Sequence, residues 1–367
     1  MTRPSQSKNA DSFRIRRQKD VDGLEEVWRA STRSAGLPTQ EFSWIRACAT
    51  AFAPPQGLEV VIAEREEHLA FAALLRRNKG GPRLCLLGLE ELFEPMDFAY
   101  TDETALAALA GAIARMGLPL YLSRVPAGSP TVRALENAFR GRGVLVKRPG
   151  RPCPTLRLDA SWTRPEDQLS TNRRSLLRRM RRRAEEYGPI EWDVRTPERE
   201  NLAPLLDEAL RVEAASWKGR QGTALLTDPV KAAFFRDYAE RACGDGILRL
   251  CFLRIGGRAA AMLYAVEYHG AFWTLKTGYD EEFAPCSPGS LLFCEAIAYA
   301  AARGLSSFEF LGSVEEWTDA WTRDRMASVS LRGYPAGWRG VIAFGSDAAR
   351  SAAGRLGRIV RKKASPK

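Results

Sequence analysis

Hydrophobic periodicity along this chain spells one order of elements twice. In the first half, a strand at 13–17 leads into helical runs at 20–33 and 40–52. Three strand-like runs follow at 58–64, 68–77 and 83–89, then a helix at 103–116, a strand at 118–125, a helix at 129–140 and a strand at 143–148. The second half opens with a strand at 190–195 and helices at 198–217 and 229–243. Strands at 247–255, 258–269 and 271–279 come next, then a helix at 290–303 that stops at Gly304, and strands at 307–312 and 326–334. The two series are offset by about 180–190 residues, with little repetition of letters.

Few arrangements satisfy that order. The pairs Gly256-Gly257 and His269-Gly270 are hairpin signals, so the three central strands form an antiparallel meander. The expected fold is α/β: two tandem units, each a mixed sheet with a hairpin meander followed by β-α-β. The expected division is 12–155, 166–340 and a basic tail, 341–367. The joint is marked by Pro149, Pro152, Pro154 and Pro165.

Charge restricts the partners without choosing one. The 367 residues carry a net charge of +11, which favours anionic ligands, nucleic acid or a membrane surface. The seven cysteines form no CxxC and there are two histidines, so no metal site is expected. Most of these cysteines lie in apolar runs and read as reduced. The N-terminal stretch has no apolar h-region, and no run of eighteen apolar residues occurs. Cytoplasmic location is the expectation.

The densest charge is at 173–183, where seven of eleven residues are arginine. As a helix, this segment puts Leu176, Leu177, Met180, Ala184 and Tyr187 on one stripe, with Thr171 or Asn172 as cap. Aromatic residues suited to stacking on single strands are absent between 171 and 186, and no helix-turn-helix or RNP signature appears. The segment reads as a solvated connecting helix or as the cationic rim of a cleft, ahead of a nucleic-acid surface. The tail at 355–363 is weakly amphipathic and reads as solvated, with a weak membrane-surface contact as the alternative.

The doubled order resembles the GNAT acyltransferase fold in tandem. The stretches VEAASWKGRQGTALL (212–226), LKTGYDEEFAPCSPGSLL (275–292) and FEFLGSVEEWTDAW (308–321) are similar to the blocks of CelD-like acetyltransferases. FSWIRACATAF (42–52) and EPMDFAY (94–100) extend the resemblance, which covers about residues 12–335. The group also contains the Fem aminoacyl ligases. The resemblance implies acyl transfer from acetyl-CoA or another acyl-CoA, without a metal, to an amine or hydroxyl of a saccharide or small metabolite.

The residues bear on that chemistry directly. Ser287-Pro288-Gly289-Ser290 suits a helix start whose free N–H groups attract an anion. The resemblance assigns Ser287, Gly289 and Ser290 to the donor pyrophosphate. The loop departs from the family's usual Arg/Gln-x-x-Gly-x-Gly/Ala, having one glycine and no arginine. Lys276 lies inside an apolar strand, where a lysine needs an anion or a cleft; with 287–290 it is expected to hold the donor phosphates or the oxyanion. Glu213, Asp280 and Glu309 are the candidate bases, Glu309 because it alternates with Phe308 and Phe310. Trp217, Tyr279, Trp317 and Asp97 are the candidate acceptor contacts. Glu213 and Trp217 are expected on one face of one helix, at i and i+4. Each residue also has a plain structural reading: a surface carboxylate, a turn aspartate, a strand-face lysine or a core tryptophan.

Two other functions compete. One is a Fem-like transferase using aminoacyl-tRNA, for which the long helical hairpin of several such enzymes has no counterpart between 196 and 247. The other is a non-enzymatic protein that binds nucleic acid or a membrane surface.

Overall fold

The computed structural model describes residues 12–32, 36–78 and 82–364. The N-terminal stretch 1–11 and the glycine turn at 79–81 lie outside the described residues. The first half contains β1 (Arg14–Gln18), α1 (Glu25–Ser31), α2 (Phe42–Phe52), β2 (Leu58–Arg65), β3 (His68–Arg77), β4 (Arg83–Leu86), α3 (Leu89–Leu92) and β5 (Ala99–Tyr100). It continues with α4 (Glu103–Arg115), β6 (Leu120–Pro126), α5 (Pro130–Phe139) and β7 (Gly143–Pro149). Then come β8 (Cys153–Arg157), α6 (Pro165–Gln168), α7 (Thr171–Glu185), β9 (Ile190–Arg195), α8 (Arg199–Ala214), α9 (Trp217–Arg220) and α10 (Pro229–Gly244). The last part is β10 (Leu248–Ile255), β11 (Arg258–Tyr268), β12 (Ala271–Tyr279), α11 (Pro288–Ala302), β13 (Ser307–Glu309), β14 (Arg325–Met326), β15 (Ser328–Pro335) and α12 (Trp338–Ala364).

Local chemistry explains the boundaries. Asp102 caps α4 by accepting the N–H groups of Thr104 and Ala105 at 2.8 and 3.0 Å. Ser129 and Asp228 cap α5 and α10, each followed by a proline at the first helical position. The strand expected at 307–312 stops at Glu309, because Leu311 and Gly312 adopt left-handed φ values of 57° and 59°.

Two mixed sheets result. The first runs β1-β2-β3-β4-β6-β15-β7, with β5 also paired to β3; the second runs β14-β8-β13-β12-β11-β10-β9. Each contains a meander, β2-β3-β4 or β10-β11-β12, and each has one parallel junction, β4 to β6 or β12 to β13. The helices α4 and α11 make the two crossovers. This is the doubled α/β architecture expected from the periodicity.

Two strands cross the division expected between 155 and 166. The strand at 328–335, read as closing the second half, lies between β6 and β7 in the first sheet. In return β8, inside the proline-rich joint, enters the second sheet between β13 and β14. The tail expected beyond 341 is helix α12, anchored to the first sheet. Its Asp347 is buried and accepts bonds from Arg83 at 3.0 Å and the Tyr334 hydroxyl at 2.7 Å, with Arg332 at 3.0 Å and Arg350 alongside.

One apolar core spans both halves. Trp28, Trp44 and Phe71 join Phe234, Phe235, Tyr238, Tyr264 and Trp273 in it. The Trp44 ring meets Phe234 and Tyr238 edge-on, at 5.0 and 4.9 Å. Two further cores lie under α4 and α5 and under α11.

The Asp347 cluster gives a stability prediction. Its hydrogen bonds and ion pairs outweigh the cost of burial and hold the carboxyl down to about 2, from an ordinary value of 3.8. A depressed pKa adds stability above the unfolded value, and that stability is lost as pH falls from about 4 towards 2. Asp347→Asn is expected to cost about 3 kcal/mol, since it removes the ion pair of the buried Arg83 together with those of Arg332 and Arg350. Chemical denaturation at neutral pH and near pH 3 checks both points, the difference between the two chains shrinking at the lower pH.

Candidate active site

The strands β12 and β13 share only three pairs, Ala271 with Ser307, Phe272 with Phe308 and Trp273 with Glu309. Beyond them β12 runs on to Tyr279, while the other chain turns away at Leu311. A cavity of about 620 Å³ fills the opening. One wall is 274–279 of β12, and another is 310–313. The register of β12 against β11 slips here: Tyr264 pairs with Lys276 and Ala265 with Thr274, so Leu275 is an extra residue. Such a bulge interrupts the ladder and re-aims backbone and side chains, and Leu275 lines the cavity.

The start of α11 closes one end. Ser287 is left-handed at φ 49°, Pro288 takes the first helical position, and no side chain caps the helix. Ser287, Gly289 and Ser290 all line the cavity, so the helix's positive end faces open space. A Cβ at Gly289 would lie 3.8 Å from the Tyr279 ring, an ordinary contact. Packing therefore does not demand glycine here; what it provides is room beside the first-turn amides.

The polar wall comes from both halves. Lys276 lies 3.7 Å from Glu94, a cavity residue that the sequence analysis passed over. Glu94 is 5 % exposed, and its second carboxylate oxygen has no hydrogen-bond partner among the described residues. Burial pushes its pKa up, against the pull of Lys276 and Arg124. Arg124, itself buried, donates to the carbonyls of Phe93 and of Gly312, the latter at 2.7 Å. One guanidinium thus ties the Glu94 loop to the opposite wall. The only pointer to Glu94 was its place in EPMDFAY, three residues before Asp97. Lys218 also lines the cavity, donating to the Thr277 carbonyl at 2.6 Å. Its pKa is lowered by burial. Trp217 and Trp317 are 42 % and 38 % exposed at the cavity, Trp317 standing 5.0 Å from Phe293.

Other expected residues lie elsewhere. Glu213 and Trp217 are not on one helix, because α8 ends at Ala214 and α9 begins at Trp217. Glu213 is buried, accepting the Leu225 N–H at 2.9 Å and pairing with Lys218 at 3.5 Å. It braces the cavity wall rather than facing the cavity. A Cβ at Gly278 would lie 2.6 Å from the Glu213 Cα, so this close approach of β12 to α8 requires glycine. Asp280 accepts the Glu282 N–H at 3.0 Å and pairs with Arg258 at 3.3 Å, capping the turn after β12. Trp321 is core.

Glu309 and Asp97 meet at a different cavity, of about 420 Å³, lined also by Trp273 and Ser307. Glu309 pairs with Trp273 before the strands part, which puts it outside the opening. It accepts from Thr155 and Ser307 at 2.8 and 2.7 Å, and burial raises its pKa. Asp97 accepts from Ser129 and Thr131, both at 2.5 Å, and burial pushes it up to about 6.

The arginine helix adjoins the helix mouth. Its cap is Ser170, one residue before the expected pair. Leu177 and Ala184 are buried, Leu176 and Met180 partly so, and Tyr187 is exposed. Arg183 reaches the Pro285 carbonyl at 3.5 Å, just before α11, and Arg181 pairs with Glu295 on α11 at 3.1 Å. Arg178, Arg179 and Arg182 are exposed beside them. Among the described residues, no three His, Cys, Asp or Glu side chains are grouped to hold a metal.

Comparison with known proteins bears on the fold and the reaction class. Residues 171–319 match the sequence profile of the family described as acetyltransferase (GNAT) domain. No curated protein sequence matches the chain. Among solved structures, the C-terminal domain (DUF2156) of a protein designated lysylphosphatidylglycerol synthetase, from Agrobacterium fabrum, superposes with a TM-score of 0.57. It is 11 % identical, over 88 % of this chain and 94 % of that one. A conserved protein of unknown function from Bacteroides thetaiotaomicron gives 0.56 at 13 % identity, over 87 % and 99 %. FemX gives 0.56 at 12 %, over 87 % and 97 %. At such identities these likenesses show the fold. The profile match sets aside the non-enzymatic reading: residues 171–319 form a GNAT-type acetyltransferase domain, and the protein is an acyltransferase.

Proposed function

We propose that the protein transfers an acyl group, acetyl in the first instance, from acyl-CoA to an amine or hydroxyl of a saccharide or small metabolite, as a CelD-like member of the GNAT group acting in the cytoplasm. One observation carries this reading. The bare helix mouth at 287–290, the bulged strand and the Lys276–Glu94 pair line one cavity. The helix mouth supplies its positive dipole and the Gly289 N–H for the donor pyrophosphate, the Ser287 and Ser290 N–H groups being engaged by the Ala284 and Ser287 carbonyls. The arginines of α7 raise the local concentration of an anionic donor. Free cysteines, most of them buried, are consistent with a reducing compartment.

The chemistry then follows from the wall. Glu94 is the candidate base, because burial makes its carboxylate a better proton acceptor than a solvated one. As the acceptor's nitrogen or oxygen bonds to the thioester carbon, its proton passes to Glu94. The Lys276 ammonium offers positive charge to the developing oxyanion. The C–S bond breaks and CoA leaves as the thiolate. Trp217 and Trp317 present rings for a saccharide face, and Tyr279 lines the same cavity beside Gly289.

A second reading is favoured by the loop that lacks the family's glycine pattern and by the arginine helix beside it: a Fem-like transfer from aminoacyl-tRNA. Calorimetric titration separates the two. Acetyl-CoA and CoA are expected to bind, and Gly289→Leu is expected to abolish binding by filling the space at the amides while leaving the melting temperature unchanged. Binding of aminoacyl-tRNA alone would replace the first reading with the second.

The role of Glu94 is checked by a pH profile. A base works deprotonated, so kcat/KM is expected to fall as pH drops through its raised pKa, above the ordinary carboxylate range. Glu94→Gln should lower kcat by about 10²–10⁴ and remove that limb, with acetyl-CoA affinity little changed. An unchanged limb in the variant would assign it to another group.

A further inference from the structure

Helix α12 is docked with its bulky apolar face turned outward. Gly340, Ala343 and Asp347, spaced by three and four residues, are buried against the body. A Cβ at Gly340 would lie 1.9 Å from the Pro335 carbonyl oxygen, which shows how closely this face is packed. On the other side Trp338 is 68 % exposed, Val341 71 % and Ile342 54 %. Gly345, Ala349 and Ala352 continue that face and are exposed too. Positions 338, 341, 342, 345, 349 and 352 form one helical stripe. The sequence carries the same spacing on to Leu356, Ile359 and Val360. A helix that sets its small residues and one aspartate against its own protein leaves its large apolar groups for another surface.

Charge identifies that surface. The helix sequence holds seven lysines and arginines against one acidic residue. That residue, Asp347, is already engaged by Arg83, Arg332 and Tyr334 of the body. A second copy of this chain would bring the same arginines and the same net charge of +11, and like charges would oppose the pairing. Nucleic acid would satisfy the arginines and leave the apolar stripe in water. No described helix is long and apolar enough to cross a membrane. An anionic bilayer surface satisfies both halves of the pattern. Apolar side chains enter the boundary between headgroups and acyl chains, and basic ones meet lipid phosphates. Trp338 suits that boundary, having an apolar ring and a polar N–H. Its ring also lies 5.2 Å from the Arg339 guanidinium.

We propose that α12 is a membrane-surface helix that lies flat on an anionic bilayer, with the stripe begun by Trp338, Val341 and Ile342 facing the lipid. At 27 residues it spans about 40 Å along the surface. The proposal is independent of the acyl donor and acceptor.

Co-sedimentation of the full chain with vesicles tests it. One set is phosphatidylcholine alone; the other includes about one third phosphatidylglycerol, which supplies the negative surface potential. The chain is expected to bind the anionic vesicles, and the neutral ones about tenfold more weakly. The triple variant Trp338→Ser, Val341→Ser, Ile342→Ser changes only exposed side chains. It should keep its melting temperature and lose about tenfold or more in affinity for anionic vesicles. The proposal is overturned by a wild-type chain that ignores anionic vesicles, by equal binding to both compositions, or by a triple variant that binds as well as wild type. A lipid-free dimer that dissolves in the triple variant, with no vesicle binding by either chain, would overturn it too and assign the stripe to a second copy.

Discussion

Two strands that share three pairs and then part leave backbone groups without their ladder partners on both sides of the gap. Such groups are costly to bury unless something else satisfies them. The protein spreads the problem across several devices: an extra residue in β12, left-handed turns at Leu311 and Gly312, and a guanidinium on the Gly312 carbonyl. Closing the gap would require Leu311 to become extended and Leu275 to lose its bulge. The opening therefore belongs to the fold and does not wait for a ligand to create it. Everything at the site is arranged around it, from the bare first turn of α11 to the lysines on the wall.

The second unit does not own the whole of this site. Glu94 arrives on a loop of the first half, and Arg124 holds that loop against residues that follow β13. The shared core beneath, with Trp44 set between Phe234 and Tyr238, gives the two halves one apolar interior. Burial there fixes the relative position of the halves in the same way that it fixes strands within each. A carboxylate from one half and an ammonium from the other can be kept 3.7 Å apart only because the interface between them does not slide.

The architecture was legible because periods of two and 3.6 residues are local properties. The meanders, the crossover helices and the helix start at Ser287 all follow from short windows of sequence. Destination is not local. The run at 328–335 reads plainly as a strand, yet nothing in its letters says that its partners are Leu122 and Lys147 rather than β13. The five residues of β8 were hidden by the prolines around them. At the site, the cluster of Lys276 with 287–290 was readable because both lie within one β-α junction. Glu94 was not, because its partner stands 182 positions away, between Glu94 and Lys276. Alternation placed Glu309 on a strand face, but only the point at which β12 and β13 separate decides which cavity that face meets. The tail's stripe was undervalued because alanine and glycine dilute it, and because no window of sequence says which side of a helix its own protein will cover.

The exchange of β8 and β15 has a consequence for how the chain is made. The gap between β6 and β7 in the first sheet is filled by a strand that ends at Pro335, long after both neighbours have left the ribosome. Until then those two strands present open edges, which invite pairing with the wrong chain. The nascent first half cannot reach its finished sheet alone, so completion of one unit is timed by synthesis of the other. The same closure that locks the mature protein together delays its folding until the strand at 328–335 has been made.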